Sequence, residues 1–388
     1  MVNIQFMPWG GRMKYCKTCI MPTSRPGIIL DQEGVCSACI GSKEKSETIN
    51  WESRGKELDE ILDKSRGKGE YDCLIPVSGG KDSTWQVHTM LKKGMNPLAI
   101  TIKCQCRSEL GQKNLDNLIN LGVDHIDFTV NPEVDSRFML KAFEQDGNPS
   151  LVEHLIMWST IIKTALRYDI GLIVWAENSA LEYGGSKKDR NKFIMDYKWI
   201  SKYGVTNGTF AEDWVDNDLT IEDLSSYQLP PEDIMTNAGV KNLFLGMYMK
   251  WEPEDIAKKA RSVGFSWSET AVLGLHPFVG VDCDFRVVHH YMKWYKFGVT
   301  KLWDNLAIEI REGRMEREEV IEYLKNNDEV IPIKEIESFS KYIGISVEDF
   351  FEIAEKHRNL NIWKKDDNDD WYLPRFKHEF GFWKEFLV

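Results

Sequence analysis

Residues 78–83 read Ser-Gly-Gly-Lys-Asp-Ser, directly after the apolar run Cys73–Val77 and directly before a stretch of helical periodicity. Two adjacent glycines let a backbone turn sharply and approach an anion more closely than residues with side chains allow. A strand, such a turn and then a helix point free loop N–H groups and the positive end of the helix at one spot, which is how α/β proteins hold phosphates. Ser78 and Ser83 add hydroxyl donors, Lys81 a point charge, and Asp82 a carboxylate able to hold Mg²⁺ through water. The spacing differs from a Walker loop, G-x-x-x-x-G-K-[ST].

The chain around this loop repeats the same alternation. The runs Leu98–Ile102, His125–Val130, Leu172–Trp175 and Leu243–Leu245 are short and apolar, and helical patterns lie near 82–93, 108–121, 134–145 and 150–168. Continuous apolar strands separated by helices predict an α/β fold, a doubly wound, mainly parallel five-stranded sheet covered on both faces. Pro76 lacks an N–H, which places it at the end of its strand. This unit spans 71–251. From 252 to 388 the pattern is helical, near 254–263, 284–297, 300–312, 316–326, 335–342 and 347–357, and reads as a C-terminal helical lobe. The terminal stretch WYLPRFKHEFGFWKEFLV is aromatic enough to pack back on the body or against another subunit, as in a homo-oligomer.

Cys16-x-x-Cys19 and Cys36-x-x-Cys39 bracket sixteen residues. That is the spacing of a four-thiolate zinc ribbon, and an ion with four protein ligands is structural. The ribbon spans 13–45, and a charged amphipathic helix over 46–70 links it to the sheet. Cys104-Gln105-Cys106 follows a predicted strand, where a reactive thiol would suit sulfur transfer and two small strand-end residues would need no role. Cys73 and Cys283 read as inert. The net charge of −12 disfavours a large nucleic-acid partner. No run approaches the apolar length of a membrane span, and the first fifteen residues lack the pattern of a secretory signal, so a cytoplasmic location is expected.

The loop Ser78–Ser83 resembles that of the N-type ATP pyrophosphatases, the PP-loop superfamily that includes GMP synthetase, asparagine synthetase and the tRNA thiolases. A closer resemblance rests on Tyr15-Cys16-Lys17-Thr18-Cys19, on 111–118, on Ile173 through Trp175-Ala176-Glu177-Asn178 to Glu182-Tyr183-Gly184-Gly185, on 243–246, on 290–298 and on 311–315. Together these are similar to the N-acetyl sugar amidotransferases of bacterial surface-polysaccharide synthesis, the WbpG/PseA-like proteins. Ala176 departs from them, standing where many relatives carry Gly. The resemblance implies that ATP and Mg²⁺ serve to adenylate the acetamido oxygen of an N-acetylated sugar or nucleotide sugar. Ammonia from a separate glutaminase subunit then displaces AMP to leave an acetamidino group. The rival reading is a PP-loop enzyme that thiolates tRNA; a non-catalytic nucleotide-binding scaffold ranks behind both.

The catalytic candidates are Lys81, Asp82 and Glu177. The ATP-binding candidates are Val77, Ser78, Gly79, Gly80, Lys81, Asp82, Ser83, Ile102 and Asn178. Glu177 and Asn178 follow the fourth strand, which a doubly wound sheet sets beside the loop. Glu182, Tyr183, Gly184 and Gly185 read as a flexible polar loop suited to sugar hydroxyls. His289 and His290 are neighbours on a helix, so at most one enters a site, and His290 is the candidate. Lys293, and Lys296 one turn on, could meet a nucleotide diphosphate.

Overall fold

Strand β1 (Cys73–Pro76) lies inside a six-stranded sheet of order β3-β2-β1-β4-β6-β5. This computed structural model describes residues 13–383; the opening twelve residues, part of the stretch read above for a secretory signal, and the last five lie outside them. β2 (Pro97–Ile102), β3 (Asp124–Phe128), β4 (Leu172–Trp175) and β6 (Lys241–Phe244) pair in parallel, with Leu74 opposite both Leu98 and Ile173. β5 (Ile194–Met195) closes one edge antiparallel to β6. The sheet thus has one strand more than the five expected, because a two-residue strand is too short to show a period.

The helices between strands cap themselves as their sequences dictate. α3 (Lys81–Lys92) and α4 (Glu109–Ile119) follow β1 and β2, and α5 (Pro132–Asp146) and α6 (Leu151–Arg167) join β3 to β4. Ser108 caps α4 by accepting from the Gly111 N–H, and Asn131 with Pro132 starts α5, which Gly147 ends in a left-handed conformation. The chain leaves β1 toward β2 and β3, then returns across β1 to β4. That reversal opens a crevice at the carboxyl ends of β1 and β4, where doubly wound sheets bind ligands.

Beyond β4 come four short helices, α7 (Ser179–Tyr183), α8 (Lys187–Arg190), α9 (Tyr197–Tyr203) and α10 (Glu232–Asn237), with β6 after them. The lobe that follows holds α11 (Pro253–Arg261), α12 (Asp284–Phe297), α13 (Lys301–Arg311), α14 (Arg317–Asn326), α15 (Ile333–Ile343) and α16 (Val347–Lys356). A two-strand ladder, β7 (Lys364–Lys365) with β8 (Trp371–Tyr372), and α17 (Pro374–Phe380) end it. The linker read as one helix is two, α1 (Ser37–Glu47), which starts inside the ribbon, and α2 (Trp51–Ser65). They part because the Asn50 side chain accepts from the Ser53 N–H and begins a new helix.

Three apolar clusters tie these parts together. One is the sheet core, from Leu74 and Ile173 to Leu243. A second joins Phe138, Phe143 and Leu155 of α5 and α6 to Phe285, Phe339 and Phe350 of the helical lobe. The third packs the ribbon, through Ile20, Met21 and Ile28, onto Trp303, Leu306 and Phe376. The aromatic tail therefore covers its own chain, Phe380 lying 4.9 Å from the Tyr15 ring. No described helix is long and apolar enough to cross a membrane.

Candidate active site

The turn after β1 is held by its own side chains. The Ser83 hydroxyl donates to the Gly80 carbonyl at 3.1 Å and accepts from the Ser78 N–H at 3.4 Å, while the Gly80 N–H donates to the Ser78 hydroxyl at 3.3 Å. Gly79 has φ +83°, and a Cβ there would sit 2.8 Å from the Leu115 nitrogen and 3.1 Å from the Gly111 oxygen of α4, so only glycine fits. Gly80 is the N-cap of α3 and offers no capping side chain. The first N–H groups of a twelve-residue helix thus open on the crevice, a ready anion site. Val77 follows β1 and Ile102 ends β2 beside it, the Val77 N–H donating to the Ile100 carbonyl at 2.8 Å.

Lys81 places its ammonium 2.6 Å from Asp82 Oδ2 and 5.9 Å from the Phe278 ring centroid. Trp251 Nε1 donates to the other Asp82 oxygen at 3.1 Å. Glu177 leaves β4 on the far side of the crevice. Burial and then the charge of Asp82 push its carboxyl up to about 7, against the pull of Lys81. Two carboxylates and a lysine thus converge on the space beside the loop. Their hard oxygens suit Mg²⁺.

Facing them is a cationic wall. Asp304 is the hub, with Arg25 Nε 2.7 Å from one oxygen and the Lys293 ammonium on the other. Burial opposes its charge, but Arg25, Lys293 and Lys301 outweigh that and hold Asp304 well below the usual carboxylate range. Arg25 also donates to the Tyr183 carbonyl at 3.0 Å. The Arg25 guanidinium carbon and the Lys301 ammonium each lie 5.4 Å from the centre of the Tyr183 ring. Burial, then Glu177, Asp304 and Asp82, raise the Tyr183 phenol, so this ring stands between loop and wall. His290 is held neutral by burial, Lys293 and Lys301, and its Nδ1 is buried with no hydrogen-bond partner.

Several candidates from the sequence sit elsewhere. Asn178 is buried and fully engaged: its oxygen accepts from the Ala180 N–H at 3.0 Å, and its amide donates to the carbonyls of Asp189 (2.9 Å) and Lys192 (3.0 Å). Glu182 is taken by Lys45 of α1, both oxygens 2.9 Å from the ammonium. Gly184 and Gly185 are buried, not a flexible loop. A Cβ on Gly184 would lie 2.9 Å from the Gly27 oxygen, so this glycine lets the ribbon approach the backbone, while a Cβ on Gly185 would lie 2.7 Å from Ala180 Cβ and 2.9 Å from the Tyr203 hydroxyl. Lys293 reaches the wall but spends its charge on Asp304, Lys296 is bound to Asp146, and His289 meets Asn148 at 3.1 Å. Arg25, Asp304, Lys301 and Trp251 were not foreseen; Arg25 and Asp304 stand 279 residues apart, and no local pattern links them. A separate cavity of about 420 Å³, lined by Glu44, Asn50, Arg54, Leu181 and Met247 among others, shares none of the crevice residues.

The four ribbon sulfurs lie within 4.8 Å of one another, with Cys16 and Cys39 at 3.9 Å and Cys19 and Cys36 at 3.7 Å. A tetrahedral ion with bonds of about 2.3 Å sets sulfurs about 3.8 Å apart, so the cradle fits zinc. The Cys36 N–H, 3.2 Å from the Cys16 sulfur, supplies the outer hydrogen bond a thiolate ligand uses. Cys104 and Cys283 are joined in a disulfide across 179 residues. Cys283 is therefore not inert, and Cys104 has no free thiol to carry sulfur. Cys106, half-buried, meets the Ser338 hydroxyl at 3.2 Å.

A phosphate-type loop at the reversal point of a doubly wound parallel sheet, with a four-cysteine ribbon packed beside it, defines an α/β protein of the PP-loop type. Residues 276–377, the helical lobe from just before α12, match the family described as LPS biosynthesis protein WbpG-like, C-terminal domain. The chain is also similar to an uncharacterised protein of Methanocaldococcus jannaschii, 28% identical over 110 residues, 27% of this chain and 38% of that one. Among solved structures it is similar to NMN synthetase from Francisella tularensis (TM-score 0.35, 12% identity, 69% of this chain and 94% of that one). It is also similar to the NH3-dependent NAD synthetase of Campylobacter jejuni (TM-score 0.27, 14% identity, 57% and 99%).

Proposed function

We propose that the protein is an ATP-dependent amidotransferase that turns the acetamido group of an N-acetylated sugar or nucleotide sugar into an acetamidino group, releasing AMP and pyrophosphate. The observation that carries this reading is the Ser78–Ser83 loop, whose uncapped helix opens on the β1/β4 crevice in a chain with a WbpG-like lobe. The loop N–H groups and Lys81 grip the departing pyrophosphate. The amide oxygen attacks the α-phosphorus and takes AMP, which makes that oxygen a leaving group. Ammonia then adds at the amide carbon, AMP departs with the oxygen, and the lost proton leaves a C=N bond. Asp82 and Glu177 would hold Mg²⁺, which neutralises charge on the phosphates. Ammonia comes from a separate glutaminase subunit, and the product serves surface-polysaccharide synthesis in the cytoplasm.

The test is incubation with ATP, Mg²⁺, ammonium and a panel of acetamido sugars, read by AMP formation and by the mass change of replacing O with NH. Lys81→Ala and Asp82→Ala are expected to abolish AMP formation while leaving the circular dichroism spectrum unchanged. Formation of ADP, or wild-type turnover by either variant, overturns the proposal.

A further inference from the structure

The disulfide between Cys104 and Cys283 lies at the joint between the two walls of the crevice. Cys104 stands two residues beyond β2, whose end flanks the phosphate-type loop, and Cys283 is the N-cap of α12, the helix that carries His290 and Lys293. From the bond to the loop the packing is continuous. Asp282 presses on Gly111 of α4 so closely that a Cβ there would lie 2.9 Å from the Asp282 Cα, and Gly111 and Leu115 in turn leave room only for glycine at position 79. A shift at residue 283 is thus passed through backbone contacts to the turn that opens on the crevice. The two segments are also held without the bond. The Ser108 hydroxyl donates to the Val281 carbonyl, the Ser108 N–H to the Asp282 carbonyl at 3.4 Å and the Asp284 N–H to the Cys106 carbonyl at 3.3 Å, while Arg107 and Cys283 form an antiparallel bridge. Cys283 and Phe285 are buried in the cluster shared by α5, α6 and the helical lobe. Segments joined in this way stay together when the sulfurs part, which leaves the bond as a lock on their movement.

We infer that Cys104–Cys283 is a reversible redox lock on the crevice, opened by a dithiol reductant. The inference rests on the loop as a nucleotide site and on the cytoplasmic location proposed above, where a disulfide is a transient, regulated bond. Cys104 is only partly buried and offers its sulfur to a thiol, whereas Cys283 is 2% exposed. One thiolate of the dithiol attacks the Cys104 sulfur, the S–S bond breaks, and Cys283 leaves as a thiolate that takes a proton. The second thiolate of the dithiol then attacks the mixed disulfide and frees Cys104, which also takes a proton, so the reductant ends oxidised by two electrons. Closed, the bond holds the phosphate turn and α12 in register and preorganises the crevice for nucleotide. Open, it lets the head of α12 move, and nucleotide binds more weakly. Cys106 takes no part, its sulfur lying 3.2 Å from the Ser338 hydroxyl.

The experiment uses the full-length, zinc-loaded protein. Peptide mapping without reductant is expected to recover Cys104 joined to Cys283. Mixtures of reduced and oxidised dithiothreitol, without denaturant, are expected to open and re-form that bond while the circular dichroism spectrum stays unchanged. Calorimetry with a non-hydrolysable ATP analogue is expected to give an affinity about three- to tenfold lower after reduction. Cys283→Ser should bind at the lower affinity in both conditions, and Cys106→Ser should respond as the wild type does. Because Cys283→Ser keeps the ribbon thiols, it separates the lock from any effect of reductant on the zinc site. A bond that opens only in denaturant, a different pairing, an affinity unmoved by reduction, or a response that persists in Cys283→Ser overturns the inference. If the analogue binds in neither state, the nucleotide reading of the loop fails, and hydrogen exchange decides the lock by itself. Faster exchange over 281–290 on reduction supports it, and unchanged exchange overturns it.

Discussion

Glu177 and Asp82 show how a crevice strains the residues it brings together. In water a glutamate ionises near pH 4.3, but burial and the nearby Asp82 hold Glu177 at about 7. Between those values the folded protein keeps a proton that the unfolded chain has lost, so this group makes stability fall as pH rises through that window. Glu177→Gln removes the effect: without ligands, the variant's melting temperature is expected to exceed that of the wild type by more at about pH 8 than at about pH 5. An equal difference at both pH values contradicts the strained carboxyl. Legibility at this scale followed sequence distance. The six loop residues announce themselves because local backbone geometry demands them, Gly79 above all. Arg25, Lys301 and Asp304 were hidden because each looks like an ordinary surface charge until the fold assembles them.

Among the elements, the ribbon was readable from spacing alone, whereas its placement was not. Its apolar residues are shared with Trp303, Leu306 and Phe376, and Gly27 meets Gly184 back to back. Because the metal supplies folding energy that so small a unit lacks, its loss should reach well beyond 13–45. One zinc per chain is expected by elemental analysis. Stripping it, or Cys36→Ser, should lower the melting temperature by on the order of ten degrees and change the tryptophan near-ultraviolet signal of the helical lobe. Stability unmoved by chelation contradicts this coupling. The long helices were legible from periodicity and caps. Strand β5 and the break before α2 were not, since one has two residues and the other depends on a single Asn50 side chain.

In the whole molecule, the change of pattern near residue 251 marks where the strands of the six-stranded sheet end, but the apolar cores run across it. Phe138, Phe143 and Leu155 lean on Phe285, Phe339 and Phe350 from across that line. Periodicity shows which face of a helix is apolar and never which element covers it. Expression of 71–251 alone should therefore expose this face, giving a product that binds hydrophobic dyes and aggregates while the full chain does neither. A monomeric, dye-silent fragment refutes the shared core. The contact of Arg25 with both Asp304 and Tyr183 has a wider consequence. This arginine is carried by the ribbon, while the phosphate-type loop belongs to the sheet, so the two sides of the crevice depend on different parts of the architecture. On the proposed function, zinc starvation would leave the phosphate loop in place and loosen the ribbon's side of the crevice, making trace-metal supply a throttle on the reaction.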